Sequence, residues 1–250
     1  MKIRALLALA AGGSLLAGCA ASGAEPSSAS AAPPQSSARG GPAFPSTYRA
    51  YPSAPTAITG VTIFDGEGGR IDNGTLFMVD GKISSVGGPE TAIPGDATVV
   101  DGSGKYVTPG IIDVHSHLGD YPTPSVDAHS DGNEATSPVT PEVWAEHSVW
   151  PQDPGFSRAM ANGGITALQI LPGSANLFGG RSVVLKNVPA RTVQAMKFPG
   201  APYGMKMACG ENPKRVYGSR NRAPSTRMGS LAVERQTWID AQEYRSKRND

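Results

Sequence analysis

His115 and His117, two residues apart and with Asp113 two before them, are the residues whose types and spacing suggest chemistry. On a β-strand, residues i, i+2 and i+4 share one face, so a strand here points all three the same way. Two imidazoles so placed can share one divalent cation, since zinc–nitrogen distances of about 2.0–2.1 Å are easily reached. Asp113 is then placed to orient a histidine from behind. A surface pair that holds no metal is the competing reading, and spacing alone does not separate the two. The chain has four histidines; the others are His129 and His147, and none follows His147.

Such a strand needs a scaffold. The Pro109-Gly110 turn, followed by Ile111 and Ile112, marks a strand entering an apolar layer. Before it, residues 57–108 read as a small β-domain. Within that domain Asp80-Gly81 joins two strand-like runs, and this pair suits a type I′ hairpin because both central residues need positive φ. After Pro109 the rhythm becomes strand then helix, which suggests parallel βα units. Thr140-Pro141 predicts a short helix through "EVWAEHSVW", and Asp153-Pro154 predicts another, stopped by Gly163-Gly164. "ITALQILPG" reads as a buried strand, "SVVLKN" as a hairpin arm and "APYGMKMACG" as a third barrel-type strand. A polar helix capped by Ser230 closes the chain.

The 250 residues carry a formal net charge of +1 and are 39% hydrophobic. That is enough for one or two globular domains, and the balanced charge gives no reason to expect nucleic acid as a partner. Residues 1–18 have a basic start and an apolar run too short for a lasting membrane helix, as in a secretory signal. "LAGC" resembles a bacterial lipobox, which implies cleavage before Cys19, its lipidation and anchoring to a membrane by acyl chains. Ala20 favours the outer membrane, with the protein facing the periplasm. Residues 19–56, rich in Ala, Ser and Pro, read as a flexible tether. A lipidated Cys19 leaves Cys209 without an intramolecular partner, so no disulfide is expected.

The runs "VDGKISSVG" and "VVDGSGKYVTPGIIDVHSH" resemble the start of the amidohydrolase superfamily of metal-dependent hydrolases. "ILPGSANLFGGRSVVLKN" and "KMACGENPKRVYG" are similar to an exported, imidazolonepropionase-like subgroup. The resemblance spans residues 57–250. It implies an α/β fold: a (β/α)₈ TIM barrel over 109–250, present as about three βα units, beside part of a β-sandwich. It implies a site at the C-terminal ends of the strands. It implies hydrolysis of a C–N bond in a cyclic-amide or acyl-amino small molecule, by water activated on one or two divalent ions, zinc foremost. His115 and His117 become metal ligands, with Asp113 behind them. Lys206 and Glu211 become candidates for a bridging carboxylate, Lys206 in carboxylated form. Asn176 and Arg181 lie on a loop near the barrel mouth, within reach of substrate. His129 is a further substrate candidate, although a solvated loop is its simpler reading, and His147 reads as packing between Trp144 and Trp150.

The pattern is incomplete. The family takes two later histidines and a general-base aspartate from strands that do not occur here. The 142 residues from Pro109 to Asp250 fall short of the roughly 250 that a whole barrel takes. An open barrel leaves an unpaired edge and an uncovered apolar face. The expectation is therefore an N-terminal part that is inactive alone and is completed by a missing C-terminal half or by a second chain. The alternative is a non-catalytic envelope lipoprotein that keeps this half of the fold as a binding or structural module.

Overall fold

In a computed structural model of the chain, residues 44–249 are described. The expected signal segment, Cys19 and most of the tether lie outside them. No helix among the described residues is long and apolar enough to cross a membrane.

The β-rich segment forms one sheet rather than two facing ones. Its strands are β1 (Thr56–Phe64), β2 (Arg70–Val79), β3 (Lys82–Gly87), β4 (Thr98–Asp101) and β5 (Tyr106–Val107). The order is β3-β2-β1-β4, with β5 also on β1. Asp80 and Gly81 turn between β2 and β3 with φ of 51° and 71°, the two positive values a type I′ turn requires. Val61, Ile63 and Leu76 form a small core on this sheet.

Beyond Pro109, β6 (Ile111–Ser116) runs parallel to β7 (Ile165–Ile170), and α1 (Pro154–Gly163) lies between them in the chain. Asp153 caps α1 by accepting from the Gly155 N–H, and Gly164 ends it at φ 62°. Phe156 of α1 packs with Leu168 and Ile170 of β7 in the main core. This is one βαβ crossover. The expected third parallel strand does not join it. β9 (Val183–Lys186) lies antiparallel on the other edge of β7, the edge a third parallel strand would need. β10 (Met205–Met207) instead pairs antiparallel with β8 (Phe178–Arg181) as a separate ribbon. The expectation of about three βα units is thus corrected to one crossover with two antiparallel additions.

Two helical expectations also change. Residues 142–150 make only a single 3-10 turn, Ala145–His147. Thr140, the expected cap, instead donates its hydroxyl to the Phe178 carbonyl at 3.1 Å. Trp144 is extended, and Glu146 is drawn into the interior toward Lys197. In the last helix, α4 (Arg227–Asn249), Thr226 is the cap: its hydroxyl accepts from the Gly229 N–H at 3.0 Å. Ser230 sits inside the helix, buried, and donates to the Thr226 carbonyl.

The C-terminal end of the expected tether is attached to the body. Thr47 donates its N–H to the Gln194 carbonyl in α2 (Val193–Met196), and Ser46 donates to the Lys197 carbonyl. Among the described residues no strand pairs with the outer edge of β6, and Ile112 is 66% and Val114 69% exposed.

Candidate metal centre

The side chains that converge at the end of β6 are His115, His117 and Lys206. The two imidazoles meet edge to face, with ring centroids 5.3 Å apart. Lys206, on β10, reaches across the fold until its Nζ is 3.4 Å from His115 Nε2. The lysine is only 7% exposed and has no carboxylate partner among the described residues. Burial pulls its ammonium below the usual lysine range, because a desolvated cation releases its proton more readily.

His117 lies one residue past the strand. Its Nδ1 is 2.7 Å from the Leu171 carbonyl, in the turn that follows β7. A carbonyl only accepts, so Nδ1 carries the hydrogen, and in the neutral ring Nε2 keeps its lone pair. That is the tautomer a metal ligand needs, fixed by a partner on the far ring nitrogen. Two imidazoles and a desolvated amine fit part of a divalent-cation site. No group of three or more His, Cys, Asp or Glu among the described residues completes one.

The other predicted residues fall elsewhere. The Asp113 carboxylate accepts from the His115 backbone N–H at 3.0 Å, so it braces the strand and not the imidazole. Glu211 opens α3 (Glu211–Gly218), is exposed, and pairs with Arg215 at 3.3 Å, one helical turn on. Its carboxylate makes no hydrogen bond or ion pair with the histidines. Asn176 is 1% exposed. Its amide donates to the Glu134 carbonyl and to Thr140 Oγ1, and its carbonyl accepts from the Tyr217 hydroxyl. Asn176 is a buried structural hub, and the expectation of substrate contact is withdrawn. Arg181 lays its guanidinium over the Trp144 ring at 4.3 Å. His129 leans on Trp150 in the loop after β6, with centroids 5.1 Å apart. His147 stacks on Trp144, its ring tilted by 13°.

A cavity of about 650 Å³ opens near this cluster, lined by Asp131, Asn133, Glu134, Glu142 and Trp144 among others. Neither histidine of the pair lines it. Pro172 of its wall directly follows Leu171, which binds His117.

Sequence reasoning missed the residues that fold the loop after β6. Asp153, besides capping α1, accepts from the Gly119 and Thr123 N–H groups at 3.0 and 3.2 Å. Such a multiply bonded carboxylate is recognisable in sequence only as an N-cap. Asp120 is fully buried; its Oδ1 accepts from Ser148, and its Oδ2 has no hydrogen-bond partner among the described residues. Burial pushes its carboxyl up to about 7, with nearby Asp131 adding to the rise and the Ser148 hydroxyl opposing it. An unfolded aspartate titrates near ~3.9. Between these values the folded chain holds the extra proton, so this group makes stability fall as pH rises through the window. The unfolding free energy from urea titrations is expected to decline from about pH 5 to about pH 7 with a slope approaching about 1.4 kcal/mol per pH unit, and to level off above it. Asp120→Asn is expected to flatten that slope, and an unchanged profile would contradict this reading of Asp120.

No family model matches the chain. The amidohydrolase tasK of Hapsidospora irregularis is 35% identical over 189 residues, covering 72% of this chain and 19% of that protein. A dihydroorotase of Pelotomaculum thermopropionicum is 44% identical over 61 residues, covering 24% of this chain and 14% of its own. The solved structure of an amidohydrolase from Thermotoga maritima superposes with a TM-score of 0.71 at 40% identity, over 78% of this chain and 49% of that one. The chain thus spans about half of that structure and a much smaller share of the curated relatives. These relatives support the amidohydrolase superfamily for this chain.

Proposed function

We propose that the chain supplies the first part of the active site of an amidohydrolase that hydrolyses a C–N bond in a small molecule, a cyclic amide or acyl-amino compound. The observation that carries the reading is the convergence of His115, His117 and the buried Lys206, with the tautomer of His117 set by Leu171. His115 and His117 would hold a divalent ion, zinc foremost, which lowers the pKa of water and polarises a carbonyl when bound. Lys206, whose ammonium burial pulls below the usual lysine range, is suited to take up carbon dioxide as a carbamate. Its nitrogen forms the new bond and releases one proton, and an anionic oxygen ligand is left beside His115. In bicarbonate labelled with carbon-13, the chain is expected to show one carbamate carbon signal that Lys206→Ala removes. A spectrum identical in the two proteins would argue that Lys206 is a plain buried lysine.

The remaining ligands and the general base belong, in this reading, to the half of the barrel that would cover β6, carried by a C-terminal continuation or a second chain. The outer edge of β6, unpaired among the described residues, and its exposed apolar face support it, as does the 49% coverage of the Thermotoga maritima structure. Lipidation at Cys19 and placement at the outer membrane are part of the same proposal. Partition of the exported protein into a detergent phase, lost in Cys19→Ser, is their test.

A further inference from the structure

His117 is held by more than the Leu171 carbonyl. Tyr121 sets its ring edge-on to the imidazole, with centroids 5.9 Å apart and planes at 80°. The Asn133 amide donates to the Tyr121 hydroxyl. The Asn133 carbonyl in turn accepts from the Ala175 N–H at 3.0 Å. Ala175 lies on the same turn as Leu171, whose carbonyl accepts from His117. The contacts close a circuit: His117, Leu171, Ala175, Asn133, Tyr121 and back to His117. A further backbone bond, from the Gly173 N–H to the Gly132 carbonyl, clamps the two loops together at 2.6 Å.

The backbone leaves room for this arrangement at two glycines. A Cβ on Gly132 would lie 2.2 Å from the Tyr121 ring, and one on Gly173 would lie 2.2 Å from the Asn133 amide nitrogen. One hydrogen bond at Nδ1 leaves an imidazole free to swing about that contact. The Tyr121 and His115 rings, both edge to face with that imidazole, restrict the swing.

We infer that Tyr121 and Asn133 are positioning residues that hold His117 in one orientation and one tautomer, its ring against that of His115. The inference rests on the metal-site reading for its purpose, but its geometry stands without a metal. Outer partners of this kind typically change metal affinity by roughly 10–100-fold.

The test is nitrogen–carbon correlation NMR of the histidine rings in the metal-free chain, followed by zinc titration of the same samples. The wild-type chain is expected to show His117 as a single Nδ1–H tautomer. Tyr121→Leu is expected to give a mixture of tautomers and a loss of zinc affinity of roughly tenfold or more. Asn133→Ala, which loses the bonds to both Tyr121 and Ala175, is expected to shift both readouts the same way, and Tyr121→Phe, which keeps the ring but loses the Asn133 bond, to shift them less. The His129 ring signal, outside the circuit, reports whether each variant is folded. Wild-type tautomer and affinity in folded Tyr121→Leu and Asn133→Ala would overturn the inference. If the wild-type chain binds no zinc, the metal reading fails, while tautomer loss in the variants still upholds the positioning role.

Discussion

In the completed assembly proposed above, His115→Ala is expected to abolish metal-dependent hydrolysis. A metal-activated water and a polarised carbonyl supply several kcal/mol of transition-state stabilisation, and each 1.4 kcal/mol is about tenfold in rate. The loss in kcat/KM is therefore expected to be roughly a thousandfold or more. His115 Nε2 faces Lys206 at 3.4 Å, so the substitution removes an imidazole and strands the lysine. His129→Ala, in the loop against Trp150, is expected to change the rate far less. Equal losses from the two substitutions would mean that neither histidine acts at the reacting atoms. Without the completing half, the chain is expected to give no turnover on acyl-amino or cyclic-amide substrates. Metal-dependent turnover by the isolated chain would refute the claim that it needs completion.

The second large effect concerns stability. Lys197 is 7% exposed, and its ammonium contacts the Glu146 carboxylate, the Tyr203 hydroxyl and the Phe44 carbonyl. Glu146 has no exposed side-chain surface. Lys197→Met would leave a buried carboxylate without its cation, a change that typically destabilises by about 3–5 kcal/mol. Domains of this kind have only about 5–15 kcal/mol in total, so the urea midpoint is expected to fall steeply. Glu146→Leu with Lys197→Met is expected to recover much of the loss, because an apolar pair of similar volume often replaces a buried ion pair with little penalty. A single variant within about 1 kcal/mol of the parent would show that the pair holds nothing together. The same ammonium holds the Phe44 carbonyl, so the single variant is also expected to make the chain around Phe44 more open to proteolysis.

What was legible in the sequence was local. The Asp80-Gly81 hairpin, the Asp153-Pro154 start of α1 and the β6 strand each follow from neighbours in the chain. What was not legible depends on distant partners. The helix expected over 142–150 gives way because Glu146 is committed to a lysine 51 positions away. The third parallel strand is lost because β9 occupies the edge of β7 that it would use. Asn176 looked like a substrate contact from its glycine-rich loop, but its hydrogen bonds are taken up by Tyr217, Thr140 and Glu134. In the site, the histidine spacing was plain. Of the two residues proposed as the bridging carboxylate, only Lys206 approaches the pair, across 91 positions. Glu211 stays on its helix with Arg215. Tyr121 and Asn133 left no signal, since an aromatic residue and an amide in a polar loop are ordinary until the fold brings them to His117.

The central claim is that His115 and His117 form one corner of a divalent-metal site. Titration of the chain with cobalt(II), followed by its visible absorption, tests this most directly. The account predicts saturation near one ion per chain, with imidazole-ligated bands that His115→Ala weakens and the His115→Ala/His117→Ala variant abolishes. Absence of saturable binding, or identical spectra from the parent and the double variant, would contradict it.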